Sequence, residues 1–138
     1  MSQNFQNHKR IFKPFHLFLI PVSLLGFIYS LYVLFNEFNY ANASISLLFF
    51  LVLLSSALSR VSALKVQDRA IINEFKFRYY LLSGNTVNEN LTKSQLIALR
   101  FASDEELIDL TKKAVTEKLS ATAIKKSIKN WKADYNRV

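Results

Sequence analysis

The chain has no cysteine among its 138 residues, and only two prolines, two glycines and two histidines. Absence of cysteine excludes disulfides, thiolate catalysis and cysteine metal sites, and it fits a reducing compartment. So few glycines and prolines leave little room for a turn-rich β architecture. Both histidines, His8 and His16, lie near the N-terminus, with no glycine-rich phosphate loop and no spaced metal ligands elsewhere. We therefore predict an all-α protein that is not an enzyme, with no catalytic or metal-binding residue and no cofactor.

Charge is missing from two long stretches in the first half of the chain. Residues 15–35 and 38–59 contain no Asp, Glu, Lys or Arg, and Glu37 is the only formal charge between Lys13 and Arg60. As helices, these stretches would each be about 31 to 33 Å long, which matches the hydrocarbon thickness of a bilayer. The sequence predicts a two-helix transmembrane hairpin over residues 15–59, with spans at about 15–35 and 40–59.

The cations around this hairpin predict its orientation. Three Lys or Arg residues precede the first span within the basic segment 1–14, five lie in residues 60–82, and the connecting loop has none. Because Lys and Arg are enriched on the cytoplasmic side of membrane proteins, both termini should be cytoplasmic. We do not expect cleavage as a secretory signal, since the first apolar run is too long and a second follows it at once.

Small residues on the two spans predict how the helices pack. Ser23, Gly26 and Ser30 recur at spacings of three and four on the first span, and Ser55 and Ser59 are four residues apart on the second. Small residues let membrane helices approach closely. The two faces are expected to meet each other, or one of them docks onto a different membrane protein. In the first span, Pro21 is also expected to disturb the helix.

Residues 60–82 predict an amphipathic extension of the second helix into the cytoplasm, since no helix breaker occurs and apolar residues recur on one broad side. Lys65, Arg69 and Lys76 lie on a different face. These three cations are expected to bind anionic lipid headgroups or a partner. The alternative is a solvated basic face whose only effect is to keep this side of the protein in the cytoplasm. The sequence Ser83-Gly84-Asn85 should end the helix.

Residues 83–138 predict a small three-helix cytoplasmic domain. Thr92 with Gln95 and Ser103 with Glu106 form possible capping boxes, and Ser120 can cap the third helix. Acidic residues 104–106 should occupy the first turn of the middle helix, where negative charge is favoured. In the last helix the expected anchors, for an internal core or for a partner's surface, are Ile128, Trp131 and Tyr135.

Three stretches carry a resemblance to a known family. They are residues 63–69 (ALKVQDR), 95–107 (QLIALRFASDEEL) and 128–138 (IKNWKADYNRV). The chain resembles a family of small uncharacterised bacterial proteins, of Bacteroidota type, with a two-span hairpin and a helical tail. The resemblance covers nearly the whole chain. It implies a bacterial inner membrane and a cytoplasmic tail, and it implies no activity.

The combined features favour a non-catalytic, membrane-anchored interaction protein. Its partners would be the lipid bilayer and either other inner-membrane subunits or further copies of itself, so that it acts as an accessory subunit or a small homo-oligomer. A membrane-tethered nucleic-acid-binding helical domain is the alternative, since three short helices follow residue 90. The charge opposes nucleic acid as a partner, because residues 84–138 carry ten Lys or Arg against seven Asp or Glu.

Overall fold

The computed structural model describes residues 4–7 and 11–134. The chain forms two compact units. One is Ile11–Leu64, the N-terminal unit, and the other, the C-terminal unit, includes the described residues from 65 to 134. All regular secondary structure in the described residues is helical, which confirms the predicted all-α class.

The first helical stretch of the N-terminal unit changes its winding near its start. A π-helical segment, Pro14–Leu19, leads directly into α1, Ile20–Asn36. At the junction the N–H of Ile20 donates to the carbonyl of Phe15, five residues back. Pro21 follows and has no N–H with which to continue a regular ladder. The disturbance predicted for this part of the helix is therefore a π-helical segment on the N-terminal side of Pro21.

Three residues connect α1 to α2, which runs over Tyr40–Ser83. The side-chain oxygen of Asn39 accepts the N–H of Asn42 at 2.8 Å, as a helix cap does. In turn, the side-chain amide of Asn42 donates to the carbonyl of Glu37 at 2.7 Å. Two asparagines thus satisfy the backbone groups that a tight connection would otherwise leave without partners.

Within the N-terminal unit, α1 and the first part of α2 touch through aromatic side chains. The ring of Phe49 lies against Gly26, where an added methyl group would overlap it. The ring centroids of Phe27 and Phe50 are 6.0 Å apart. Most of the apolar surface remains open: only 11% of the most apolar window of Pro14–Asn36, and 0% of that of Tyr40–Ser83, is buried. Both helices are long and apolar enough to cross a membrane.

The C-terminal unit packs three short helices on the last part of α2. They are α3 (Lys93–Leu99), α4 (Asp104–Thr116) and α5 (Ala121–Ser127). α2 ends at Ser83, and Gly84 follows with φ of +68°, as the Ser83-Gly84-Asn85 sequence predicted. The largest fully buried side chains of the unit come from all four helices and the α3–α4 connection: Phe75, Leu99, Phe101, Leu107 and Ile124.

Caps fix the ends of the short helices. Thr92 and Gln95 form the predicted capping box at the start of α3, and the hydroxyl of Ser120 accepts the N–H of Ala123 at the start of α5. At the end of α4, Lys118 adopts a left-handed conformation with φ of +49°. The N–H of Leu119 then donates to the carbonyl of Ala114 at 3.1 Å, the bond of a Schellman motif.

Candidate interaction site

Arg78, on α2, contacts three residues of the C-terminal unit through its guanidinium. Its guanidinium donates to the carbonyl of Arg100 at 3.1 Å and to that of Ala102 at 2.7 Å. It also forms a salt bridge with Asp104, the first residue of α4. Because these three acceptors lie between the end of α3 and the start of α4, one planar guanidinium holds α2 to both helices.

Asp104 is the charged partner of this arrangement, although its side chain is 55% exposed. The hydrogen bond from Arg78 holds the pKa of the Asp104 carboxyl below its usual range, with a smaller contribution from Lys132. Lys132 Nζ lies 3.7 Å from the carboxylate. The Asp104 carboxylate therefore interacts with two cations and also with the positive end of the α4 dipole.

Glu106 does not close the predicted capping box with Ser103, and that prediction was wrong. Its carboxylate oxygens accept the backbone N–H groups of Lys129 and Asn130, each at 3.1 Å. No side-chain bond caps α4 at Ser103, whose Oγ is buried without a hydrogen-bond partner among the residues that the structure describes. Two charge-assisted bonds to a distant segment outweigh the local cap.

The segment that contains Ile128 and Trp131 is extended, and the prediction that α5 continues through these residues was wrong. α5 ends at Ser127, and Ile128 has ψ of 122°. Asn130 accepts the N–H of Ser103 at 3.1 Å, and Lys132 donates its N–H to Phe101 at 2.8 Å. This short antiparallel pairing places the backbone N–H groups of Lys129 and Asn130 within hydrogen-bond distance of the Glu106 carboxylate.

The three residues predicted as anchors, Ile128, Trp131 and Tyr135, differ in their surroundings. Ile128 is buried in the core of the C-terminal unit, and the half-buried Trp131 ring packs on Phe101 with centroids 5.0 Å apart. Tyr135 lies outside the described residues. Both described anchors therefore contribute to the internal core of this unit.

A cavity of about 350 Å³ opens beside Arg78. Arg100 reaches into its wall with a side chain that is only 8% exposed, forms a salt bridge with Asp134 at 3.2 Å, and lies over the Phe101 ring. The charged groups that line the cavity are Glu74, Arg78, Arg100, Lys132 and Asp134. Arg100 and Asp134 pair with each other, and Arg78 and Lys132 both pair with Asp104, so these charged groups hold chain segments in place. Across the described ranges, no group of three His, Cys, Asp or Glu side chains could hold a metal ion.

The three predicted headgroup contacts lie together on α2. Lys65, Arg69 and Lys76 are all exposed. Their spacing of four and seven residues keeps them on one side of the helix, about a quarter of a turn from the buried Phe75. The structure thus brings these cations into one basic strip, which can contact either a negatively charged surface or a partner.

The predicted packing residues of the N-terminal unit are divided between buried and exposed positions. Ser23 and Ser30 are buried, and Gly26 contacts Phe49. On α2 the buried serine is Ser46, whereas both predicted residues are exposed: Ser55 and Ser59. The helix face that contacts α1 therefore differs in phase from the one that the small-residue pattern selected.

The serine hydroxyls bond within their own helices. Ser30 Oγ donates to the carbonyl of Phe27 at 2.7 Å, and Ser46 Oγ donates to that of Asn42 at 3.0 Å. Because each hydroxyl is satisfied locally, these two serines allow close helix contact through their small size.

The chain belongs to a family of unknown function, DUF6526, whose family model matches residues 1–138. No curated protein and no solved structure matches it.

Proposed function

We propose that this member of a family of unknown function is a non-catalytic interaction protein of the bacterial inner membrane. A transmembrane hairpin formed by Pro14–Asn36 and the first part of α2 would anchor it. The C-terminal unit would then be presented at the cytoplasmic surface, as part of an accessory subunit of a larger complex or of a small homo-oligomer. Lipid and protein surfaces, rather than a substrate, are its proposed ligands.

The exposure of the two apolar helices carries this proposal. Only 11% of the residues in the most apolar window of Pro14–Asn36, and none of those in the corresponding window of Tyr40–Ser83, are buried. In water, two helices with this much open apolar surface would aggregate, whereas lipid satisfies both their side chains and their internally bonded backbones. A bilayer is therefore the solvent that fits them.

The charges at the helix ends support the proposed orientation. Lys13 precedes the first helix and Arg60 follows the apolar part of the second, while the connection at residues 37–39 has no cation. By the preference of Lys and Arg for the cytoplasmic side, both termini would lie in the cytoplasm.

The use of charge in the C-terminal unit supports a non-catalytic role. Two of its polar side chains, Arg78 and Glu106, bind backbone atoms and hold segments of the chain together. A catalytic group must instead face a substrate with a suitable proton or nucleophile available. We therefore propose that this unit is a binding module with charged and apolar outer surfaces.

Fractionation followed by affinity purification tests the proposal. The full chain, expressed at its native level with a C-terminal tag, should stay in the membrane pellet through a carbonate wash. After extraction in mild detergent it should migrate as a stable assembly, with membrane proteins or further copies of itself identified by mass spectrometry. A solitary monomer, or release into the aqueous fraction, would contradict the proposal.

A further inference from the structure

α2 presents a second, mostly apolar face within the C-terminal unit, opposite the one that packs on the core. Its members, which we call the open face, are all exposed. They are Val66, Ala70, Asn73, Phe77 and Tyr80. Val66 and Phe77 are 69% and 65% exposed, and Leu81 beside them is 67% exposed. Such large apolar side chains on the outside of one helix are typical of a surface that binds another protein.

The spacing of the open face is that of a coiled-coil seam. Its five residues follow one another at intervals of four, three, four and three. Positions a and d of a heptad recur at the same intervals, and they place the seam along one line of a helix. The buried Phe75 then takes position f, on the side away from the seam. The helix can thus bind the core of its own chain and a partner helix at the same time.

The charges that flank the open face match those of a second copy of the chain. With Ala70 at a and Asn73 at d, Arg69 takes position g and Glu74 takes position e. Both side chains are exposed, on opposite flanks of the seam. In a parallel pair, position g of one helix meets position e five residues further along the other. Arg69 and Glu74 are five residues apart, so each copy supplies the carboxylate that the other copy's arginine needs.

We propose that the open face pairs in parallel with the open face of a second copy of this chain. This pairing rests on the proposed function and specifies it further. Two copies anchored in one membrane in the same orientation would present α2 in the same direction. Their shared anchorage also reduces the rotational freedom lost on pairing. Over about 22 Å of α2, apolar side chains would form the seam. Asn73, the polar member of the open face, would meet Asn73 of the other copy only when the two helices are in register, and the two amides could then hydrogen-bond to each other.

Disulfide cross-linking tests the pairing, since the chain has no cysteine of its own. Val66→Cys and Tyr80→Cys, each made in the full chain in native membranes, should give disulfide-linked dimers on mild oxidation. Cross-linking of like positions near both ends of the open face requires parallel helices at close approach. Asp68→Cys is the matched control, because Asp68 is exposed on the far side of α2 and should yield several-fold less dimer.

A charge exchange tests the flanking pair. With Val66→Cys present, Arg69→Glu alone should lower the dimer yield several-fold by opposing two carboxylates, and Glu74→Arg alone should do so by opposing two guanidiniums. When these two variants are co-expressed with tags of different size, the mixed dimer should form in preference to either homodimer, because both pairs are then complementary.

Dimer yields that are equal at Val66, Tyr80 and Asp68, or absent at both seam positions, would overturn the pairing. Equal yields of mixed and like dimers in the exchange would overturn the parallel charge register. A carbonate wash on the same membranes separates the two claims. Chains that stay in the pellet without seam cross-links contradict only the pairing, whereas chains released into the supernatant contradict the membrane anchor.

Discussion

The guanidinium of Arg78, near the end of α2, forms a salt bridge with the carboxylate of Asp104 at the start of α4. Arg78 also donates to two carbonyl groups between α3 and α4, so its guanidinium links α2 to both short helices. The contribution of these contacts to the stability of the unit can be measured without knowing the function of the protein.

Replacing Arg78 with alanine should destabilise the C-terminal unit. The change removes the salt bridge and the two hydrogen bonds that Arg78 donates to the Arg100 and Ala102 carbonyls, at a cost of about 2 kcal/mol or more in the free energy of unfolding. Hydrogen–deuterium exchange of the full chain in detergent should become faster in α3 and α4. Lys112→Ala is the control, because this exposed residue should change the free energy by less than about 0.5 kcal/mol. Equal exchange in the two variants would show that Arg78 is not needed for this packing.

The same pair predicts a dependence of stability on pH. Arg78 lowers the pKa of Asp104 in the folded state, so the stabilisation is present above the ordinary carboxyl pKa and is lost as pH falls through the folded value. The wild type should exceed Asp104→Asn in thermal midpoint at about pH 7, and the difference should shrink toward about pH 3. Because the carboxylate is half exposed, the difference should be modest. A difference independent of pH would contradict the assignment.

Glu106→Ala should release the extended segment around Asn130. The variant loses two charge-assisted hydrogen bonds, which together are expected to be worth about 1 to 3 kcal/mol. Trp131 fluorescence reports the change, since this is the only tryptophan of the chain and it packs on Phe101. In Glu105→Ala the same charge is removed from the same turn, so that variant controls for the helix dipole. A similar shift in both variants would assign the effect to the dipole alone.

Lys118→Gly should stabilise the protein. Lys118 has φ of +49°, a conformation that costs a non-glycine residue about 1 kcal/mol and costs glycine little. The thermal midpoint of the full chain in detergent should therefore rise for Lys118→Gly and change little for Lys118→Ala, which keeps the strained backbone. A rise in both variants would attribute the gain to loss of the lysine charge instead.

The sequence was sufficient where local chemistry decides the structure. Long runs without charge predicted the two apolar helices, Gly84 predicted the end of α2, and Thr92 with Gln95 predicted the start of α3. In each case the residues that determine the feature lie within a few positions of it. Hydrogen bonds between neighbouring residues, or the absence of charge along a helix, leave few alternative structures for these segments.

The sequence was insufficient where distant segments compete for one group. Nothing near Glu106 indicates that its carboxylate binds backbone 23 residues later, so a local capping box was predicted instead. The helical spacing of Ile128 and Trp131 is equally misleading, because pairing with residues 101–103 holds the chain extended. On α2, adjacent serines Ser55 and Ser56 differ by about 100° in direction, and packing decides which faces inward. Ser56 is partly buried and Ser55 is exposed.

Labelling of single cysteines in intact spheroplasts tests the central claim, that lipid surrounds both apolar helices with the C-terminal unit in the cytoplasm. Phe38→Cys places a thiol in the exposed connection between α1 and α2, and Asn85→Cys places one just beyond α2. A maleimide that cannot cross the inner membrane should label Phe38→Cys in intact spheroplasts, and Asn85→Cys only after lysis. Labelling of Asn85→Cys before lysis, or of neither thiol until lysis, would contradict the account.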